Sequence, residues 1–289
     1  MTAVVSRTRL EMTDNMSVGS LFVVATPIGN LNDLSHRAED VLKSVQIVAA
    51  EDTRRTAVLL DHIGHRAPEL LSFHEHNEAG LTPRLIDRLQ GGADIALVSD
   101  AGTPLINDPG FGLIAAAQSA GIAAVPVPGA CSITAALSVC PLSCHPFKFV
   151  GFLAAKKGPR TTQIEQIIAS SDATVFLESP KRIRTTLEIV GGIDSKRLLM
   201  VGRELTKKFE SIYVGSPSEI LALLDSDPRG EIVVVVASDD GIKNSQDENR
   251  VMRILLQELP PSQAAKLGAS ICGVKKSLMY DLAMSLTQE

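Results

Sequence analysis

With 289 residues, 45% hydrophobic and 21% charged, the chain has the make-up of an ordinary soluble globular protein, long enough for two compact domains. A net charge of −5 and 3% aromatics argue against a protein that grips nucleic acid by overall charge or by single-strand stacking. No apolar run nears the roughly 20 residues of a membrane helix. The cysteines Cys131, Cys140, Cys144 and Cys272 form no paired metal-ligand spacing, so no metal site is expected and a reduced, cytoplasmic protein fits best.

Residues 1–19 are polar, carry Arg7 and Arg9, and read as a loose tail. From residue 20 to 146, short apolar strands alternate with helical patterns. Strands are expected at 21–25, 46–50, 70–73, 95–98 and 122–127, with helices at 35–43, 57–62, 81–89 and 111–119 between them. That alternation predicts a parallel, doubly wound α/β sheet. Every polar, Gly- or Pro-containing cluster falls after a strand and before a helix, on the side where such sheets bind ligands.

The cluster at residues 99–110, Ser99-Asp100-Ala101-Gly102-Thr103-Pro104-Leu105-Ile106-Asn107-Asp108-Pro109-Gly110, is the richest of these. Asp108 is placed to cap the next helix and Pro109 suits its first turn. Gly102 permits close backbone approach to a ligand. Asp100 either faces a positive charge or caps its own turn. With no G-x-G-x-x-G after the first strand and no P-loop, these turns suit a neutral or cationic small molecule better than a polyphosphate.

Residues 147–238 read as a second, α+β domain, with strands at 147–153, 174–177, 198–201, 211–214 and 232–236 and fewer helices between them. The short step to 211–214 predicts antiparallel pairing with the strand before it. Residues 239–249 read as a polar linker. Residues 250–289 hold three short helices (251–258, 262–270, 275–285) with helix-turn-helix spacing around Cys272-Gly273-Val274.

Several of these clusters carry a specific resemblance. Thr26-Pro27-Ile28-Gly29-Asn30-Leu31, Ala50-Glu51-Asp52-Thr53-Arg54, Phe73-His74-Glu75-His76-Asn77-Glu78, residues 99–110, Glu178-Ser179-Pro180-Lys181-Arg182, Arg203-Glu204-Leu205-Thr206-Lys207 and Gly230-Glu231 all resemble the ribosomal RNA 2′-O-methyltransferases of the tetrapyrrole methylase superfamily. The match spans residues 21–238, and the helical tail resembles that group's extra C-terminal domain.

The resemblance implies two α/β domains with S-adenosylmethionine in the cleft between them, and a cytidine of 16S ribosomal RNA in the small ribosomal subunit as substrate. It implies a cofactor pocket at Pro27, the turn Asp100, Ala101, Gly102 and Thr103, then Ser132 and Ile133, and Leu177. Ala130-Cys131-Ser132 stands where Pro-Ser-Ala is common in the group. Arg54, Arg55, Lys181, Arg182 and Lys207 are expected on RNA phosphates, and a homodimer is expected.

A ribose hydroxyl needs a proton acceptor, and Glu51 and His76 end strands at the cleft edge. Against those roles, Glu51 could pair with Arg54 or Arg55, and His76 could hold a phosphate. Asp52 is expected to cap the following helix. The alternatives are a tetrapyrrole C-methyltransferase sharing the cofactor site, or a non-catalytic RNA-binding assembly factor.

Overall fold

The computed structural model describes residues 18–238 and 243–287. The first half runs β1 (Leu21–Val24), α1 (His36–Ser44), β2 (Ile47–Ala50), α2 (Thr53–His62), β3 (Glu69–Ser72), α3 (Glu78–Gln90), β4 (Ile95–Val98), α4 (Phe111–Ser119), β5 (Ala124–Val127) and α5 (Ser132–Ser138). The five strands are parallel in the order β3-β2-β4-β1-β5. Every residue of β2 and β4 is buried, because helices cover both faces of the sheet. Val24, Val48, Ala50, Ala96 and Val98 pack on α1 and α2. Their alternating neighbours Leu21, Ile47, Ala49, Ile95 and Leu97 pack on Leu85, Leu89, Leu113 and Ala117 of α3 and α4.

The second half runs β6 (Phe147–Phe152), α6 (Lys157–Ala169), β7 (Ala173–Glu178), α7 (Ile183–Ile193), β8 (Leu199–Arg203), β9 (Ser211–Gly215), α8 (Pro217–Leu223) and β10 (Ile232–Val236). Its sheet, in the order β6-β7-β10-β8-β9, is mixed: β6 is parallel to β7, and the other pairs are antiparallel. The β8–β9 pairing is the one the sequence predicts. As expected, fewer helices intervene than in the first half: α6, α7 and α8 occupy three of the four connections, and none separates β8 from β9.

These helices cover one face only. Phe176, Leu199, Val201, Ile232, Val234 and Val236 point to them. Val175, Met200, Val233 and Val235 point the other way, onto Ile28 and onto Ile133 and Ala136 of α5. The last helix of the first half is therefore the packing block between the two sheets. The period-two pleat also puts Leu177 on the side facing the first half.

Beyond the sheets, α9 (Lys243–Leu255), α10 (Pro261–Cys272) and α11 (Lys276–Thr287) enclose Met252, Ala264, Ala265, Met279 and Ala283. Gly273, at φ 68°, ends α10 in the left-handed conformation that turns the chain into α11. The expected linker is helical from Lys243, and residues 239–242 lie outside the described residues. The expected tail lies outside them as far as residue 17. Gly19 and Ser20 are not loose: Gly19 N–H donates to Leu89 O at 2.8 Å and Ser20 N–H to Asp94 Oδ1 at 2.7 Å. Among the described residues, no helix is long and apolar enough to cross a membrane.

Candidate active site

Parallel register sets Val24, Ala50, Val98 and Val127 level with one another, so the loops after β1, β2, β4 and β5 leave a common edge and meet. Thr26 and Gly102 exchange backbone hydrogen bonds of 2.9 and 3.0 Å. Asp52 N–H donates to Asp100 Oδ1 at 2.8 Å, and Asp100 N–H donates to Glu51 Oε2 at 3.2 Å. Thr103 Oγ1 donates to Ala130 O at 3.1 Å. Four loops far apart in sequence thus form one rigid rim.

Facing the second sheet, this rim encloses two adjoining chambers. The smaller, about 170 Å³, is lined by Pro27, Ile28, Arg55, Val58, Ser99 and Lys207 among others. The larger, about 330 Å³, has Glu51, Asp100, Asp108 and Ser132 on one side and Leu177 and Val233 on the other. Ile28, Arg55, Asp100, Ala101 and Glu231 border both.

Two clasps close the halves around these chambers. At one end, Asn30 N–H donates to Thr206 Oγ1 at 3.2 Å, and Lys207 packs so close that a Cβ on Gly29 would lie 2.2 Å from its Cγ. At the other, a Cβ on Gly151 would lie 2.8 Å from Asn107 Oδ1. Non-glycine residues with positive φ among the described residues are Leu105 (70°), Asn107 (73°), Glu204 (51°) and Thr206 (68°), and all belong to the loops that make these contacts. Backbone strain of this kind persists only where the surroundings enforce it. Glu204 provides part of that enforcement. Its Oε1 accepts from Lys207 Nζ and from Glu231 N–H, both at 2.9 Å. Gly230 is at φ 91°, a conformation that favours glycine, and a Cβ there would sit 2.2 Å from the Glu204 carboxyl carbon and displace that side chain.

The residues expected to touch a cofactor divide into two sets. Pro27, Asp100, Ala101, Ser132 and Leu177 line the chambers. Gly102, Thr103 and Ile133 do not; they build the wall behind. The space beside Gly102 is filled by Ile28 and Ala130 of the chain itself, so its φ of 83° explains the glycine, and ligand approach does not. Of the expected phosphate contacts, Arg55 and Lys207 line the smaller chamber. Arg182 is turned inward, its Nε and guanidinium nitrogen at 2.8 and 2.7 Å from Oε1 of the buried Glu178. Arg54 is bound to Asp52, which caps α2 as expected. That pairing lowers the Asp52 carboxyl to about 2.

Glu51 lines the larger chamber and pairs with the Asp100 amide; among the described residues neither Arg54 nor Arg55 is its ion-pair partner. His76 is 82% exposed beside Glu75 and lines neither chamber.

The Asp108 expectation is corrected. The N-cap of α4 is Gly110, and the carboxylate that accepts from the helix start is Glu78: Oε2 from Gly110 N–H at 3.3 Å and Oε1 from Gly112 N–H at 2.8 Å. Glu78 closes the Phe73-to-Glu78 motif, so part of that motif's purpose is to hold the β4–α4 loop. Asp108 instead lines the larger chamber, where burial, aided by Glu51 and Asp100, raises its carboxyl to about 6 against a hydrogen bond to Ser99. Sequence reasoning missed Asp108 as a chamber residue because the helix start lies only three residues on.

Comparison with known proteins agrees with this architecture. Residues 20–221 match the family model for Tetrapyrrole (Corrin/Porphyrin) Methylases, and residues 244–287 match the RsmI C-terminal HTH domain. The chain is 45% identical over 280 residues to Ribosomal RNA small subunit methyltransferase I of Pseudomonas aeruginosa, covering 93% of this chain and 98% of that one. It is 44% identical over 268 residues to the protein of the same name from Xylella fastidiosa, covering 91% and 98%. A uroporphyrin-III C-methyl transferase from Thermus thermophilus, complexed with S-adenyl homocysteine, has the same fold, with a TM-score of 0.52 at 15% identity over 75% of this chain and 97% of that one.

Proposed function

The chain belongs to the tetrapyrrole methylases, in the ribosomal RNA small subunit methyltransferase I group, and from that premise we propose that it transfers a methyl group from S-adenosylmethionine to the 2′-hydroxyl of a cytidine in 16S ribosomal RNA. The larger chamber carries this reading. Glu51 and Asp100 offer negative charge to a ligand that bears a sulfonium and an ammonium, while Ser132 offers a hydroxyl and Ile28, Leu177 and Val233 offer apolar surface to a nucleoside. That donor set fits the cofactor. When bound, S-adenosylmethionine supplies an electrophilic methyl group on positively charged sulfur.

The chain's own residues supply alignment. Clasped loops hold both chambers in fixed relation, and orientation of this kind can lower a barrier by several kcal/mol, up to roughly 7–11 in ideal cases. Arg55, 62% exposed with one contact at 3.6 Å to Asp100, retains guanidinium donors for a phosphate at the smaller chamber. Lys181 stands exposed after β7 and extends that basic surface. The tail of α9 to α11 extends the RNA contact beyond the target nucleotide. The reading includes a cytoplasmic protein acting as a homodimer, for which sedimentation of the purified chain is the check.

The test is methyl-labelled S-adenosylmethionine with small ribosomal subunits, free 16S RNA, a short oligonucleotide and a tetrapyrrole. Label on a cytidine ribose of the subunit, with little on the oligonucleotide, is the expected result. Label on the tetrapyrrole alone would refute the reading.

A further inference from the structure

We propose that Asp108 accepts the proton that the acceptor hydroxyl loses during methyl transfer; the assignment rests on the methyl-transfer reading above. Asp108 sits in a loop whose sequence reads as a helix cap, yet Glu78, reaching over from the start of α3, caps α4 in its place. With the capping task done elsewhere, the Asp108 side chain lies along the larger chamber. Leu105 and Asn107, both at positive φ, precede it, and Asn107 is lodged against Gly151 of the opposite sheet. The strained backbone holds the carboxylate at the junction of the two halves.

The other carboxylates around this chamber are engaged by the chain itself. Glu51 accepts the Asp100 amide, and Asp100 accepts the Asp52 amide and faces Arg55. On the opposite sheet, Glu178 is held by Ser179 N–H, Arg182 and Thr186, and Glu231 is paired with Lys207. Asp108 has only the Ser99 hydroxyl, and neither a cation nor an amide binds it among the described residues. It also faces Glu51 and Asp100, whose charges favour its taking a proton. With its carboxyl raised to about 6, it is deprotonated at neutral pH and a stronger base than an ordinary carboxylate.

In the step itself the acceptor O–H bond breaks and its proton passes to an Asp108 carboxylate oxygen. The electron pair left on the acceptor oxygen forms the bond to the methyl carbon, and the carbon–sulfur pair returns to sulfur. Asp108 then releases the proton to solvent.

The test compares wild type with Asp108→Asn and Asp108→Glu on small ribosomal subunits from pH 5 to 9, alongside calorimetric binding of S-adenosylhomocysteine. Expected are a fall of roughly 10²–10⁴-fold in kcat for Asp108→Asn, partial recovery in Asp108→Glu, and product-cofactor affinity within a few-fold of wild type. The wild-type rate should rise with pH through about 6, and that rise should vanish in Asp108→Asn. Carbon-13 NMR of the wild-type Asp108 carboxyl provides a readout independent of the variants' folding. Titration near 6 supports the assignment, and titration in the ordinary aspartate range overturns it. An Asp108→Asn protein within about threefold of wild type, or one that keeps the pH rise, also overturns it. No methyl transfer by wild type to any RNA would defeat the functional reading and this assignment together, whereas an active wild type beside an equally active Asp108→Asn defeats this assignment alone.

Discussion

Glu78→Ala isolates the cross-helix cap. The Glu78 carboxylate accepts from Gly110 N–H at 3.3 Å and Gly112 N–H at 2.8 Å, and the N-cap position of α4 has no side chain of its own. Gly110 is buried, so removing its acceptor strands a donor away from water, at about 1–3 kcal/mol. Gly112 is exposed and regains water, which limits its loss to about 0.5–1.5 kcal/mol. Loss of a negative charge at a helix N-terminus adds about 0.3–1 kcal/mol. Together these give a destabilisation of roughly 2–5.5 kcal/mol, or about 4–22 °C in Tm at about 2–4 °C per kcal/mol for a chain of this size. Urea unfolding followed by circular dichroism measures it. Glu78→Gln keeps one acceptor oxygen and should lose about half as much. Because the start of α4 holds Asp108, kcat should fall further in Glu78→Ala than cofactor affinity does. A Glu78→Ala protein within 0.5 kcal/mol of wild type would refute the capping argument. Equal losses in Ala and Gln would shift the cause from hydrogen bonding to packing.

Two further outcomes follow from the charges around the cleft. The Asp52 carboxyl is lowered to about 2, chiefly by hydrogen bonding to the Arg54 side chain; a depressed folded value adds stability above the ordinary aspartate range and loses it as pH falls toward 2. Acid unfolding should therefore be steeper between about pH 4 and pH 2 in wild type than in Asp52→Asn, and parallel curves would remove Asp52 from the acid transition. For RNA binding, Arg55→Ala should reduce the salt slope by about one unit, while Arg182→Ala should leave it unchanged because Glu178 already holds that guanidinium; the reverse pattern in a filter-binding titration would exchange their roles.

Much of the fold is legible along the chain. Apolar runs such as 47–50 and 95–98 can be stable only with both faces covered, and their alternation with helices dictates a parallel, doubly wound sheet. The second half is harder to read. The helix α6 has buried residues Arg160, Ile164 and Ile167 set among polar neighbours, a weak periodic signal.

Within the candidate site, the sequence by itself determined the strand-loop-helix positions of Glu51, Asp100 and Ser132, because a ligand edge follows from strand direction. It also determined that Asp52 caps α2, since a cap acts within two or three residues of itself. Only the tertiary structure decided what Asp108, Arg182 and Gly102 do. Asp108 is relieved of capping by Glu78, 32 residues before Gly110 in the chain. Arg182 turns inward because β7 buries Glu178 and leaves that carboxylate needing a cation. Gly102 answers to Ile28 and Ala130, which two other loops bring against it. Local sequence sets backbone preference, but a side chain's partner is whichever group the packed sheets bring within about 3 Å.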